Sequence, residues 1–332
     1  MKAAILAGGL GTRLRPVTYS VPKPLIPLCD KPLISHIIDS LPSWVSEVVI
    51  AVNYMKSEIQ QYFSRAPTGR KIILVDEPRP LGTGGALRNL REHLDERFVA
   101  FNGDVVCSMD VGDFVRFHES KGGIGSIALW EVSDPSAFGA VSLSPDMRIQ
   151  RFQEKPPPGE ECSSLINAGV YVFEPEILER IGDGTVSLER EVFPRVMDEG
   201  LYGYRFGGYW VDCGTRENFL RAQRTIMAAS APSMIDVRLE EGAVATDPNC
   251  MVRAVCRGCR VGPYVSAQEG VVMEKGSRVS DSILMSGARV GEGAVVRGSI
   301  LGPGVRVEGG RKVIESLLSS GPASDDGQAP SA

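Results

Sequence analysis

The sequence predicts an α/β domain with a mostly parallel sheet covered by helices on both faces, followed by a short solenoid of parallel strands. Three observations carry this reading. Over the first two thirds of the chain, short apolar runs alternate with segments of helical spacing. The first of those runs ends in a glycine-rich loop. Towards the C-terminus, an aliphatic pattern repeats at a fixed interval.

Lys2–Leu6 is a short apolar strand that opens into Gly8-Gly9-Leu10-Gly11. Leu33–Leu41 has helical spacing. Glu47–Asn53 contains Val48-Val49-Ile50-Ala51-Val52, the composition of a strand buried on both faces. The pattern predicts a helix over Ser57–Phe63, a strand over Lys71–Val75, a helix over Ala86–Leu94 and a strand over Phe98–Phe101, which runs out at Asn102-Gly103-Asp104. Strands and helices in this alternation build parallel sheets, whose ligands bind beyond the C-terminal strand ends. The glycine loop and Asp104 both fall at such ends.

Helical periodicity stops near Ala228–Pro232, and Gly and Val rise. From about Val255 the sequence matches itself: Val279-Ser280-Asp281-Ser282-Ile283-Leu284 lines up with Val296-Arg297-Gly298-Ser299-Ile300-Leu301, seventeen residues on. Aliphatics recur at Val279, Leu284, Val290, Val296, Leu301 and Val307, in steps of five or six. This suits a coil with three short faces, each pointing one aliphatic inward, with Gly287, Gly291, Gly293 and Gly304 at its corners. A β-sandwich or meander with glycine turns is the alternative; the fixed period favours the solenoid. The expected division is residues 1–230, residues 236–318, and a disordered tail of Ser, Asp, Pro, Gly and Ala over residues 321–332.

At 332 residues, 43% apolar and 23% charged, the chain has the composition of a globular protein large enough for two domains. A net charge of −5 gives no support to nucleic acid or an anionic membrane surface as a partner. No stretch approaches the roughly 20 apolar residues that span a bilayer. Met1 leads directly into Lys2-Ala3-Ala4-Ile5-Leu6, without a secretory pattern, and the seven cysteines are scattered. A cytoplasmic, reducing location is the expectation. Cys256 and Cys259 form a single C-x-x-C beside Cys250. With no fourth Cys or His nearby, they are read as filling inward or corner positions of the solenoid rather than as a zinc site.

The chemistry gathers at the N-terminal loop. Glycines let backbone N–H groups approach phosphate oxygens, Thr12 adds a hydroxyl, and Arg13 and Lys23, the latter inside Pro22-Lys23-Pro24, add fixed positive charge. The spacing is neither that of a Walker A loop nor that of the dinucleotide fingerprint. Glycines after a strand are often simple turns. Two cations and a rigid turn beside them are not required for packing.

The stretch Ala7-Gly8-Gly9-Leu10-Gly11-Thr12-Arg13-Leu14-Arg15-Pro16-Val17-Thr18, followed by Pro22-Lys23-Pro24, closely resembles the signature of sugar-1-phosphate nucleotidyltransferases. Further stretches resemble the family's elements in order. Glu77-Pro78 with Leu81-Gly82-Thr83-Gly84-Gly85-Ala86 looks like the base-recognition segment, and Asn102-Gly103-Asp104 like the first metal segment. Phe138-Gly139-Ala140-Val141, Glu154-Lys155-Pro156 and Asn167-Ala168-Gly169-Val170-Tyr171 look like the sugar-phosphate elements. Trp210-Val211-Asp212-Cys213-Gly214-Thr215 looks like the second metal segment. The resemblance runs from Lys2 to about Met227, and the repeat resembles the left-handed β-helix that many members carry. Val17, Gly84 and Cys213 depart from the commoner residues of the pattern without removing a charge.

The resemblance implies a Rossmann-like nucleotidyltransferase domain and a reaction in which a nucleoside triphosphate and a sugar 1-phosphate give an NDP-sugar and pyrophosphate. It implies Mg²⁺ on Asp104 and Asp212. The bland alternatives are a turn former for Asp104 and a helix N-cap for Asp212. It implies a nucleotide site of Leu6, Ala7, Gly8, Gly9, Gly11, Thr12, Arg13, Lys23, Glu77, Gly82, Thr83 and Asp104, and a sugar-phosphate site of Gly139, Glu154, Lys155, Asn167 and Asp212. The catalytic group would be Arg13, Lys23, Asp104, Lys155 and Asp212. Glu154-Lys155 also reads as an exposed charge pair and Gly139 as a β-bulge. Leu81-Gly82-Thr83 and the β-helix tail look most like those of mannose-1-phosphate guanylyltransferases. Thymidylyl- or uridylyltransferases of glucose 1-phosphate, a heptose-1-phosphate guanylyltransferase and a non-catalytic regulatory homologue are the alternatives. Acyltransferases built on similar solenoids use a histidine base, and the only histidines, His36, His93 and His118, lie in the first domain. The solenoid is therefore read as an assembly or regulatory module, with a homo-oligomer expected through it.

Overall fold

The computed structural model describes residues 1–29, 31–229, 238–239, 244–245 and 250–321. It forms two compact units. The first contains Met1–Leu10 and Leu33–Asp212; the second contains Gly11–Pro32 and the chain from Cys213 onward.

The first unit is built on a nine-stranded sheet. Strand β1 (Lys2–Leu6) pairs in parallel with β2 (Glu47–Val52) and with β4 (Phe98–Asn102), and β2 pairs in parallel with β3 (Lys71–Asp76). Helices α1 (Leu33–Ser40), α2 (Lys56–Arg65) and α3 (Gly82–Asn89) lie between these strands in the chain. The expected parallel order therefore holds over this half. Ala3, Ala4, Ile5, Val48–Ala51 and Phe98–Ala100 are fully buried, as central strands covered on both faces require. At the edge, Lys71 and Asp76 are exposed and the apolar residues between them are half-buried.

The second half of the sheet departs from the expectation. Strand β9 (Leu165–Phe173) runs antiparallel to β4 and to β6 (Gly125–Glu131), β8 (Ile149–Glu154) runs antiparallel to β7 (Gly139–Leu143), and only β10 (Leu201–Arg205) returns parallel, beside β6. The sheet is thus mixed. No helix separates β6, β7, β8 and β9 in the chain, so these strands connect directly and pair antiparallel. The expected helix over Ala86–Leu94 starts earlier, at Gly82, and gives way to a 3₁₀ turn at Arg91–His93. Its glycine-rich first turn is held from outside: the N–H groups of Gly84 and Gly85 donate to the Val186 carbonyl at 2.9 and 3.2 Å. That tertiary contact offsets the poor helix propensity of glycine.

In the second unit every pairing among the repeat strands is parallel, which excludes the sandwich alternative. The register follows the sequence repeat. Val261, Val279, Val296 and Val313 stack in one column, and Leu284, Leu301 and Leu318 in another. The strands curl into a β-helix whose core holds Val279, Leu284, Val290, Val296, Leu301 and Val307, together with Cys250, Cys256 and Cys259. A serine column lines one corner: Ser282 Oγ accepts from the Ser299 N–H at 3.2 Å, and Ser299 Oγ from the Ser316 N–H at 3.1 Å. Of the expected tail, residues 322–332 lie outside the described residues.

Helix α4 (Arg216–Ala229) lies along this solenoid. Arg224 pairs with Asp281 at 2.7 Å, Gln223 donates to the Tyr264 carbonyl at 2.9 Å, and Arg216 donates to the Gly298 carbonyl. The segment Gly11–Pro32 belongs to the same unit. It consists of short 3₁₀ turns at Thr12–Leu14, Val17–Tyr19 and Lys23–Leu25, then a hairpin of Pro27–Leu28 with Lys31–Pro32. Leu14, Val17, Ile26 and Leu28 are fully buried.

Candidate active site

In the first unit, β1 delivers Leu6, Ala7, Gly8 and Gly9 to the C-terminal edge of the sheet. Glu77 follows β3 and is 5% exposed. Its Oε1 accepts from the Leu81 N–H at 2.7 Å, while Oε2 is buried without a hydrogen-bond partner among the described residues. A methyl group added at Gly8 would stand 1.8 Å from that Oε2, so any side chain at this position must displace either the loop or the Glu77 carboxylate. Burial raises the Glu77 carboxyl above the usual range, opposed by the Leu81 hydrogen bond.

Asp104 sits in the turn between β4 and β5 (Val105–Cys107). The Gly103 N–H donates to the Leu6 carbonyl at 3.0 Å, which fastens this turn to the end of β1. Strand β11 (Trp210–Asp212) pairs antiparallel with β5, with Asp212 opposite Val105. The backbones of Asp104 and Asp212, distant in sequence, therefore meet at one end of this ribbon. Trp210 Nε1 donates to the Ala168 carbonyl at 2.9 Å and fixes the strand. The helix-cap reading of Asp212 fails, because Thr215 Oγ1 caps α4 by accepting from the Asn218 N–H at 3.2 Å. Among the described residues no three His, Cys, Asp or Glu side chains gather as a metal cluster. Two hard carboxylates are a sufficient protein contribution for a divalent ion that takes its other ligands from phosphate and water, so Asp104 and Asp212 fit such an ion.

The sugar-phosphate candidates lie on β7, β8 and β9. Gly139 is opposite Glu154, and a methyl there would meet the Phe152 ring at 2.7 Å and Glu154 Oε2 at 3.1 Å. Lys155 follows with φ 50°, its N–H bonded to the Phe138 carbonyl at 2.9 Å and its Nζ 3.8 Å from Glu154 Oε1. Burial first, and then the charge of Glu189, raise the Glu154 carboxyl; Lys155 and Arg190 oppose them. Asn167 lies at a register shift in β9. Its Oδ1 accepts from the Gly169 N–H at 2.9 Å and its Nδ2 donates to the Tyr171 hydroxyl at 2.9 Å.

The Thr83 hydroxyl is engaged within the protein: it donates to Glu189 Oε2 at 2.7 Å and accepts from the Leu188 N–H at 2.9 Å. Gly82, with φ 71°, packs on the Val186 carbonyl. Glu189 is not among the candidates the sequence offers. In the structure it also accepts from Ser187 Oγ at 2.8 Å and from the Tyr171 hydroxyl at 3.5 Å, so it ties the base-segment candidate to the sugar-side candidates. The one available signal was Ser187 three residues before Arg190, a helix-start pattern that the structure uses: Ser187 caps the π-turn Leu188–Val192.

The remaining candidates belong to the second unit. Gly11 has φ 61°, and a methyl on it would stand 2.9 Å from Thr18 Cγ2 and 3.2 Å from Lys23 Cβ. Thr18 Oγ1 donates to the Gly11 carbonyl at 3.0 Å. Gly11 and Lys23 are therefore neighbours, with Thr12 and Arg13 in the exposed turn beside them. Arg15 lies over the Tyr19 ring at 5.0 Å; among the described residues Arg13 makes no such ring contact.

The family model described as "Nucleotidyl transferase" matches residues 2–229. The chain belongs to the nucleotidyl transferase family. Residues 241–321 of this nucleotidyl transferase match a second model, the GMPPB C-terminal domain. The chain is 40% identical over 270 residues to mannose-1-phosphate guanylyltransferase catalytic subunit beta of Danio rerio, covering 77% of this chain and 74% of that one. It is 34% identical over 309 residues to mannose-1-phosphate guanylyltransferase 1 of Arabidopsis thaliana, covering 87% and 82%. Among solved structures, HddC from Yersinia pseudotuberculosis is 27% identical with a TM-score of 0.57, covering 68% of this chain and 99% of that one; it has also been solved complexed with GMP-PN. Members of this family use a divalent metal, in keeping with the two carboxylates of the ribbon. No helix among the described residues of this nucleotidyl transferase is long and apolar enough to cross a membrane.

Proposed function

We propose that this nucleotidyl transferase makes GDP-mannose and pyrophosphate from GTP and mannose 1-phosphate, in the cytoplasm and with Mg²⁺. The observation that carries the reading is the pairing that puts Asp212 opposite Val105 and so beside Asp104. The choice of guanine and mannose is supported by the relatives' names.

An oxygen of the sugar phosphate attacks the α-phosphorus in line as pyrophosphate leaves. That oxygen is already anionic at neutral pH, so the chain needs no general base. The barrier lies in bringing two anions together and in the charge of the leaving group. Asp104 and Asp212 would hold Mg²⁺, which supplies charge neutralisation on the phosphates. Gly8, Gly9, Gly11 and Thr12 present backbone and hydroxyl donors to the triphosphate, at the end that Leu6 and Ala7 lead into. Arg13 and Lys23 hold the charge that develops towards pyrophosphate. Lys155 grips the sugar phosphate, Glu154 accepts from sugar hydroxyls, and Gly139 admits the ring. Asn167 retains one N–H and one lone pair for the sugar after its two internal bonds. The Thr83 hydroxyl is committed to Glu189 and Leu188, so base contact by Gly82 and Thr83 falls to their backbone. Glu77 acts from beneath the loop, by holding Leu81 and filling the space that a side chain at Gly8 would need.

The proposed division is a catalytic domain over residues 1–230 and a β-helix over residues 236–318, with homo-oligomers formed through the β-helix. Pyrophosphate release with GTP, dTTP, UTP, ATP and CTP against mannose, glucose and heptose 1-phosphates tests the function. Highest kcat/KM for GTP with mannose 1-phosphate is the expected result. Preference for dTTP or UTP with glucose 1-phosphate would replace it with the sister activity, and no turnover with any pair would make the chain a regulatory homologue.

A further inference from the structure

The segment that carries Arg13 and Lys23 packs with the solenoid, in the same compact unit, and its contacts there are specific. Ser266, buried one coil after its strand partner Met251, donates its hydroxyl to the Cys29 carbonyl. The Cys29 thiol donates to the Gln223 carbonyl at 3.8 Å, and the Gln223 side chain, fully buried, donates onward to the carbonyls of Tyr264 at 2.9 Å and Ser282 at 3.4 Å. At the other end of the solenoid, Ser20 Oγ and Ser319 Oγ are 3.2 Å apart. Ser266 and Ser319 are about three coils apart in the repeat, so the segment is fastened at two well-separated points along the solenoid.

We propose that the β-helix is a positioning device for the phosphate-binding cations, with Ser266 and Gln223 as its positioning residues. The route from anchor to cation is short and stiff. Cys29 has φ 61° at the turn of the Pro27–Leu28 hairpin. Pro24 and Pro27 restrict the backbone between that turn and Lys23, and the N–H groups of Leu25 and Ile26 close the 3₁₀ turn on the carbonyls of Pro22 and Lys23 at 2.8 and 3.1 Å. Lys23 in turn abuts Gly11, whose carbonyl is held by Thr18. A carbonyl held at Cys29 thereby fixes where Lys23 stands, and with it the turn that bears Arg13. Neither anchor touches substrate. The role assigned to the cations rests on the proposed function; the anchoring does not.

Ser266→Ala, which removes one oxygen, tests this, with Ser299→Ala as the comparison. Ser299 belongs to the serine column of the same solenoid, and among the described residues it bonds only within it. Two readouts are taken: amide hydrogen exchange at Leu14, Leu25 and Ile26, and the KM values for GTP and mannose 1-phosphate. Ser266→Ala is expected to speed exchange at the three amides and to raise the GTP KM by up to about tenfold, the scale of one buried hydrogen bond, with the mannose 1-phosphate KM within about twofold. Ser299→Ala is expected to change neither. Unchanged exchange at the three amides in Ser266→Ala, or an equal change in Ser299→Ala, overturns the proposal. If the wild-type chain has no activity, the functional reading fails, and exchange alone still decides the anchoring.

Discussion

Gly8 and Glu77 share one small volume: a methyl group on the glycine would stand 1.8 Å from the carboxylate oxygen Oε2 of the glutamate. The loop between β1 and the first 3₁₀ turn is thus shaped from below by a buried acid. Gly8→Ala must push either the loop or the Glu77 side chain aside, and Glu77 is held by the Leu81 N–H. The expected result is a loss of about a hundredfold in kcat/KM for the nucleotide, on the scale of a misplaced substrate-positioning element. Steady-state kinetics of the variant, with circular dichroism confirming the fold, checks it.

The same acid gives stability a pH dependence. Burial holds the Glu77 carboxyl above the ordinary range, and Glu154 is shifted in the same direction. A carboxyl with a higher pKa folded than unfolded binds its proton more tightly in the folded state. Its contribution is most favourable below the unfolded value, falls as pH rises towards the folded value, and stays low above it. Glu77→Gln keeps an oxygen for the Leu81 N–H and removes this dependence. The Tm of Glu77→Gln minus that of wild type should therefore grow as pH rises through and above the ordinary glutamate range. A difference that stays flat would mean the carboxylate is not desolvated.

Lys155 has a half-exposed side chain beside Glu154 and a backbone in the left-handed region. Its proposed task is to bind the sugar phosphate rather than to stabilise the fold. Lys155→Met should raise the KM for the sugar phosphate by about tenfold to a hundredfold and leave the nucleotide KM nearly unchanged. Its Tm should stay close to wild type. Initial-rate measurements in each substrate give the split.

The repeat columns carry the stability of the solenoid. Leu301 is fully buried between Leu284 and Leu318. Leu301→Ala should cost about 2–5 kcal/mol, whereas Arg306→Ala, on the exposed face next to the inward Val307, should stay within about 0.5 kcal/mol. Urea denaturation of the two variants compares them directly.

Legibility in the sequence followed the physics of each element. The parallel half of the sheet was readable because β1, β2 and β4 are covered on both faces and so are continuously apolar. The solenoid was readable because stacking identical coils forces Val279, Val296 and Val313 into one column, and a column is a sequence period. The antiparallel half was not, because the mode of pairing of β6 to β9 depends on which strands meet, and alternation within one strand says nothing of its neighbour. Asp104 and Asp212 were legible as motif residues, but only the β5–β11 register brings them together. Glu189 was hidden because a charged residue in a short turn looks solvated until Thr83, Ser187 and Tyr171 arrive around it. The grouping of Gly11–Pro32 with the solenoid rests on single contacts such as Ser266 to Cys29, between residues 237 apart, and no local pattern announces those.

The most direct test is pyrophosphate formation from GTP and mannose 1-phosphate by purified wild type and Asp104→Ala, with Mg²⁺ present and with EDTA. The expected result is turnover by wild type that EDTA abolishes and Mg²⁺ restores, and a loss of orders of magnitude in Asp104→Ala with the fold intact. Near-normal turnover by Asp104→Ala, or wild-type turnover indifferent to EDTA, would contradict the two-carboxylate site.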